Sequence, residues 1–533
     1  MFKKKKPAQR RVDPHVPDYR NAPHYHGELN KALDYFAPSL GVSDDYTVRS
    51  ISVAGRSAVC LFINTICDKK VVQETLRLLH EYPYPKRTPN NLAQYLSKKV
   101  LSSADVTFMK NLFELSETIS SGDLVLMIEG VSPAIVISAK SVEHRAPEQP
   151  VVESSVRGSQ ISFVENIDIN LGLIRQGIKT ATLHVKQLKV GYRSRREVAI
   201  VYIGDVANPI AVETVLKRIK AIHADVIVQG YEIEGRIVEH TWTPFPLTRT
   251  MHRVDSTIKE INQGKIAILV DGDPTIIMVP ATLQDFFQTE EDFSRSFYET
   301  TFIRWLRIVS FIFALYLPAL YISFVDFNPE LLPKVLGIQI ARSREGVPFP
   351  AVVEVIIMQT VVEILREATL RMPKQMGQTI GIVGGLVVGE ASVQAGLVSN
   401  ILIIVVSLTA VSIFVSPNYE FATTVRLGTW SMIMSASFLG LYGILLTSIW
   451  LLYEVSSLKS LGISYLDPYS GEHFRDSFLD GIIQLPLRFR NKRPSHLHPQ
   501  DDTGATVYQN PVPHPQLEKA YQKPNQQRRG RVR

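Results

Sequence analysis

The feature that most constrains this chain is an apolar block, Ala351–Pro417, interrupted first by charges and then by regularly spaced glycines. Gly377, Gly381, Gly385 and Gly389 recur at every fourth position in QMGQTIGIVGGLVVGEASVQAG. On a helix that spacing makes one smooth ridge, along which two backbones pack closely in lipid. Just upstream, VVEVIIMQTVVEILREATLR places Glu354, Glu363, Arg366 and Glu367 in an otherwise hydrophobic segment. Ionisable groups in such a setting are costly unless they pair or face water. Together the two patterns predict a multi-helix assembly with a polar interior.

The rest of the chain divides around this block. Charges are spread through residues 1–300, whereas 303–455 hold long apolar runs. IRWLRIVSFIFALYLPALYISFVDF, starting at Ile303, has Arg304 and Arg307 at one end and Asp326 at the other. It exceeds the roughly 20 residues a bilayer span requires. A second apolar stretch runs from Leu427 to Val455. Gly377–Val415 is too long for one pass and reads as a hairpin, or as a re-entrant loop plus a span. Basic residues outside both ends of this half favour an even number of crossings, about four, with either the Val352–Leu370 helix or the glycine segment not fully crossing and both termini in the cytoplasm. The net charge of +7 gathers at Lys3–Lys6, Arg488–Arg493 and the final RRGRVR. Beside membrane spans such clusters meet anionic lipid rather than nucleic acid. The N-terminus lacks an apolar core segment, so no signal peptide is expected.

The soluble half reads as two α/β subdomains. In the first, residues 28–142, TVRSISV and SAVCLFI are strands around a turn at Ala54–Gly55. VVQETLRLLHEY is an amphipathic helix, and LVLMIEG and AIVISA are further strands. A Pro/Ser/Glu-rich linker, 143–160, leads to the second subdomain, 161–300. There EVAIVYI is a strand, and NPIAVETVLKRIKAI is a helix capped by Asn208 with Pro209 at its first position. A helix near Val254–Gln263 and the strands IAILV and TIIMVP complete it. Residues 301–461 form the helical membrane domain and 462–493 a cytoplasmic basic segment. Residues 1–27 and 494–533 read as disordered. Cys60, in a strand-like apolar run, reads as a buried thiol, and Cys67 forms no disulfide framework or zinc site with it. His15, His24 and His26 have no matching cluster, so neither a metal nor another cofactor is expected.

Enzyme motifs fail on inspection. GLIRQGIKT, at Gly172–Thr180, approaches a phosphate-binding loop, but Ile178 intrudes before the Lys–Thr pair. An amphipathic helix ending in a glycine turn is favoured there. DGDP, at Asp271–Pro274, separates two strands and reads as a hairpin turn rather than a magnesium site. The membrane charges are the better lead. At about 100° per residue, Gln359, Glu363, Arg366 and Glu367 share one arc of a helix over 352–370. That arc suits either a surface helix held by a Glu363–Arg366 ion pair or a helix lining an aqueous path, where ringed carboxylates attract cations. Glu354 falls off the arc and needs its own partner or an interfacial position. Glu390, at the end of the glycine ridge, is a second candidate for the ion path.

Longer motifs carry a resemblance. SREGVPFPAVVE at Ser343–Glu354, MPKQMGQTIGIVGGLVVGEASVQAGLVSN at Met372–Asn400 and the following VSPNYEFATTVRL resemble the A-type subunits of bacterial spore germination receptors, the GerA family. NLGLIRQGIK, VAIVYIGDVANP, WTPFPLTRT and KIAILVDGDPTIIMVPATLQDFFQ agree, so the resemblance covers roughly Ile161–Leu461. It implies a multi-pass protein of the spore inner membrane that acts with a transporter-like B subunit and a lipoprotein C subunit. It also implies a homo-oligomer that forms a nutrient-gated ion channel. A non-conducting scaffold, or an accessory A-type homologue linked to small-molecule release, shares the same architecture. The resemblance assigns no residue roles. Glu363, Glu367, Arg366, Gln359 and Glu390 are therefore ion-path candidates from periodicity alone, and Gly377, Gly381, Gly385 and Gly389 are packing candidates.

Overall fold

The computed structural model describes residues 22–85, 91–101, 105–140, 161–289, 291–371, 389–467, 469, 481–484 and 493–501. The first subdomain runs α1 (Leu29–Phe36), β1 (Tyr46–Val53), β2 (Arg56–Ile63), α2 (Lys69–Glu81), α3 (Leu92–Tyr95), β3 (Val106–Met109), α4 (Leu112–Ser120), β4 (Leu124–Ile128) and β5 (Ala134–Ile137). The second runs α5 (Ile167–Gly177), β6 (Leu183–Val190), β7 (Arg196–Ile203), α6 (Pro209–Lys220), α7 (Gly230–Ile237), β8 (Arg249–Met251), α8 (Val254–Asn262), β9 (Ile266–Val270) and β10 (Ile276–Val279). Both sheets are antiparallel, with orders β1-β2-β4-β5-β3 and β6-β7-β9-β10-β8. The two subdomains therefore repeat one plan.

Successive side chains of a strand face opposite sides of its sheet, so a strand covered on both faces reads as a continuous apolar run. In β2, Ala58, Cys60 and Phe62 pack with Val72 and Leu79 of α2, whereas Val59, Leu61 and Ile63 pack with α1 and α4. In β7, Ala199, Val201 and Ile203 face α5 and α8, while Val198, Ile200 and Tyr202 face α6 and α7. Burial pushes both thiols, Cys60 and Cys67, up to about 12, which leaves them inert at neutral pH. As expected, Asn208 caps α6 by accepting from the Ile210 amide, with Pro209 opening the helix. Within residues 22–27, assigned to a disordered N-terminus, Tyr25 and Gly27 are buried. Tyr25 is buried and donates to the Ile128 carbonyl, its ring supplying apolar area and its hydroxyl a satisfied donor.

A buried ion pair clasps the two subdomains together. Arg175 of α5 reaches the loop before β1 and donates to both oxygens of Asp45 at 2.6 Å, and both side chains are 1% exposed. Ser43 and Thr65 donate to the same carboxylate, and the Val185 amide donates to Ser43 Oγ.

After the short α9 (Glu291–Ser294) comes a helical bundle. It comprises α10 (Phe297–Ile322), α11 (Lys334–Ser343), α12 (Ala351–Arg371), α13 (Gly389–Gln394), α14 (Asn400–Phe414), α15 (Tyr419–Leu439) and α16 (Leu441–Ser457). Among the described residues, only Phe297–Phe327 is long and apolar enough by itself to cross a membrane; α14 and α16 are shorter apolar helices. The helices run between two ends. α10 starts at the α/β module, where Arg307 holds Asp292 and the Phe287 carbonyl. At its distal end Asp326 accepts from the Ala351 and Val352 amides, so α12 begins there. α14 also begins there, with Glu354 accepting from the Ser399 amide at 2.9 Å. Its Ile413, at the other end, packs with Leu247 and Phe286 of the module. α15 leaves from that junction, with Thr250 donating to Glu420. It turns at Gly440 (φ +59°) against Phe327, and α16 returns. A hairpin of β11 (Lys459–Ser460) and β12 (Ile463–Ser464) then docks on the module, where Ser460 Oγ donates to the Leu247 carbonyl and accepts from the Ala281 amide.

Five described helices, α10, α12, α14, α15 and α16, thus run between junction and distal ends, where about four passes were expected. The difference arises because α12 and α14 are separate helices within the interrupted apolar block. Both α10 and α16 meet the module. Residues 493–501, read as part of the basic segment and disordered tail, also pack on the second subdomain. There Gln500 donates to the Gly204 and Ala207 carbonyls. Gly377, Gly381 and Gly385 lie outside the described residues, and Gly389 opens α13.

Candidate functional site: a charge cluster beside a junction cavity

The charged helix expected over 352–370 is α12, and its polar residues divide among three settings. Near mid-helix, Gln359 is buried with its Oε1 lacking a hydrogen-bond partner. One turn on, Glu363 is 25% exposed and receives two guanidiniums. Arg366 Nη1 lies 3.3 Å from each of its oxygens, and Arg426 Nη1 of α15 lies 3.2 Å from Oε2. Arg426 also donates to Thr423 at 2.7 Å. The Arg366 guanidinium stands 5.3 Å from the centre of the Phe414 ring, a cation–π contact. Glu367, by contrast, is 61% exposed and pairs outward with Arg371. Glu390 sits on α13, exposed, accepting from Gln394 at 3.2 Å. The structure therefore brings Gln359, Glu363 and Arg366 to one stretch of the bundle, but not Glu367 or Glu390. Glu354, which needed its own partner, has Arg344 at 3.1 Å as well as the Ser399 amide.

Periodicity missed Arg426. It stands at the head of an apolar run, where a lone arginine reads as a flank marking the span's start. Its helix begins earlier, at the Asn418 cap, which carries Arg426 two turns inside.

Next to this cluster is a cavity of about 510 Å³ between the α/β module and the bundle. Its walls include His252, Arg366, Leu370, Phe414, Glu420 and Arg426. One Glu420 oxygen accepts from Thr250 at 2.8 Å and the other has no partner.

The two enzyme-like motifs fall where the bland readings put them. GLIRQGIKT ends α5 at Gly177 instead of linking a strand to a helix. Asp273 of DGDP turns β9 into β10 and spends its carboxylate on the Gly230 and Thr275 amides.

These features define a class: paired antiparallel α/β subdomains fastened to a helical bundle that carries charge in its interior. A family model described as Bacillus/Clostridium GerA spore germination protein matches residues 34–496. The chain belongs to the GerA family. It is 35% identical over 481 residues to spore germination protein GerLA of Bacillus cereus, covering 90% of this chain and 97% of that one. With spore germination protein B1 of Bacillus subtilis strain 168 the identity is 33%, covering 89% and 98%. An uncharacterised membrane protein of that strain, YfkQ, is 34% identical over 74% of this chain and 77% of its own. Among solved structures, the N-terminal domain of the A subunit of the Bacillus megaterium germinant receptor GerK3 is 25% identical. It covers 50% of this chain and 99% of that chain, at a TM-score of 0.40.

Proposed function

We propose that this chain is the A subunit of a nutrient-responsive germination receptor, embedded by its helical bundle in the spore inner membrane. Both terminal regions lie in the cytoplasm, and B-type transporter-like and C-type lipoprotein subunits complete the receptor. The observation that carries the membrane reading is the apolar outer surface of the bundle. Phe302 and Ile312 on α10, Ile404 and Val411 on α14, Phe438 on α15 and Leu445 on α16 are all exposed. A soluble monomer rarely exposes so much contiguous apolar surface, whereas a lipid-facing bundle requires it.

In this reading copies of the chain assemble and conduct cations, with Gln359, Glu363, Arg366, Glu367 and Glu390 along the path and the glycine ridge closing helix contacts. Glu367 and Glu390 are the more available carboxylates, the first paired with an exposed arginine on its own helix and the second accepting from Gln394. The test is potassium leak from proteoliposomes holding the purified protein with its B and C partners, with and without nutrients. Glu363→Gln combined with Glu367→Gln should lower nutrient-dependent flux about tenfold while leaving assembly intact. Unchanged flux at normal protein levels removes these residues from the path.

One observation favours a second reading, a non-conducting scaffold or accessory homologue. Glu363 is held by two arginines, and a carboxylate so paired ties α12 to α15 and has little left for a passing ion. A fully assembled complex that never leaks would decide for it.

A further inference from the structure

We infer that the junction cavity binds a phosphate-bearing ligand gripped by Arg366 and Arg426. Arg366 is only 9% exposed and lines the cavity, yet its Nε and Nη2 donate to nothing. Leaving buried donors of a charged group unpaired is costly, so an acceptor belongs there. Glu363 is not that acceptor, because it meets Arg366 through Nη1 alone. Two guanidiniums against one carboxylate leave a positive charge at this wall, and the fork of a guanidinium matches two oxygens of a phosphate. His252 offers a further polar group across the cavity.

The remaining walls say what surrounds the phosphate. At about 510 Å³ the space exceeds what a lone anion needs. The unpartnered Glu420 oxygen suits a hydroxyl or amine on the same ligand. Leu370 and Phe414, both exposed, offer an apolar surface beside the arginines. A phospholipid headgroup has all three parts, and free phosphate has only the first. The inference goes beyond conduction and does not need it; only the lipid source rests on the membrane reading.

The test uses the full chain purified in detergent. One arm measures the thermal midpoint on adding inorganic phosphate, against chloride at equal ionic strength. The other uses native mass spectrometry after exposure to micelles containing phosphatidylglycerol or diacylglycerol, which lacks the phosphate. The expected result is stabilisation by phosphate, or retention of phosphatidylglycerol over diacylglycerol. Arg366→Gln and Arg426→Gln should each weaken whichever is seen about tenfold, and Arg371→Gln should leave it unchanged. A response to lipid alone assigns the headgroup, and a response to phosphate alone assigns a soluble ligand. No response in either arm overturns the inference, as does an undiminished response in the variants. Should a glutamine variant fail to fold, Arg366→Lys and Arg426→Lys keep the charge and lose the fork; weaker binding supports the site and equal binding overturns it. Neither arm reads ion flux, so failure of the channel reading is distinguishable from failure here.

Discussion

His184 shows how a single side chain sets a pH limit on the α/β module. It lies on β6, edge-on to Tyr202, where it hydrogen-bonds the Ser39 backbone across the subdomain boundary. Burial, reinforced by Lys186, holds its imidazole below the ordinary histidine value, and Nε2 has no partner. The neutral ring is thus the folded form, while the unfolded chain takes up a proton near pH 6.5. Between that value and the lower folded one the unfolded state binds more protons, so stability rises with pH and is lost as pH falls. The thermal midpoint should drop on going from pH 7.5 to 5, and His184→Gln, which keeps a donor but does not titrate, should flatten that slope. An identical slope in the variant would mean another group carries the acid sensitivity.

At the scale of elements, the α15–α16 hairpin depends on one missing side chain. A Cβ on Gly443 would collide with the Ser435 carbonyl oxygen, and backbone cannot give way as a flexible side chain does. Gly443→Ala should cost about 1–3 kcal/mol, the usual penalty of overpacking. It should also lower the thermal midpoint of the detergent-purified protein. Gly346→Ala, where the added carbon meets nothing within 4 Å, is the neutral control. The buried elements were the ones legible in sequence. β2, β4, β7 and β9 stand out as apolar runs because both faces of each sheet are covered. β6, LHVKQLKV, did not, because it is an edge strand whose exposed positions are polar. The repeat of the subdomains was also there to be read. GDLVLMIEGVSPAIVI and GKIAILVDGDPTIIMV align glycine for glycine through β4–β5 and β9–β10, although apart from Ile135 and Ile277 their side chains differ. In the candidate site, the arc of α12 was visible because neighbours on a helix are close in sequence. Its pairing with Arg426 crosses 63 residues and leaves no local periodicity to find.

Across the whole molecule, the Arg175–Asp45 clasp joins the two α/β subdomains beside the bond from the Asp44 amide to the Val185 carbonyl. Removing one partner of a buried ion pair strands the other charge, at a cost of about 3–5 kcal/mol. Asp45→Asn leaves Arg175 in that position, with only Ser43 as a further acceptor. Calorimetry of the variant should show the first subdomain melting separately and earlier, where the parent module melts as one. A single unshifted transition would show that the surrounding hydrogen bonds suffice. The module also meets the bundle through more than one strand of chain. It runs directly into α10 at one place, receives the hairpin after α16 at another, and meets α15 through Thr250 and Glu420 at a third. A body on a single tether can swivel freely; one fastened at several separated points cannot. Any rearrangement among α10, α15 and α16 must therefore reach the α/β module as a defined lever stroke, with direction as well as amplitude.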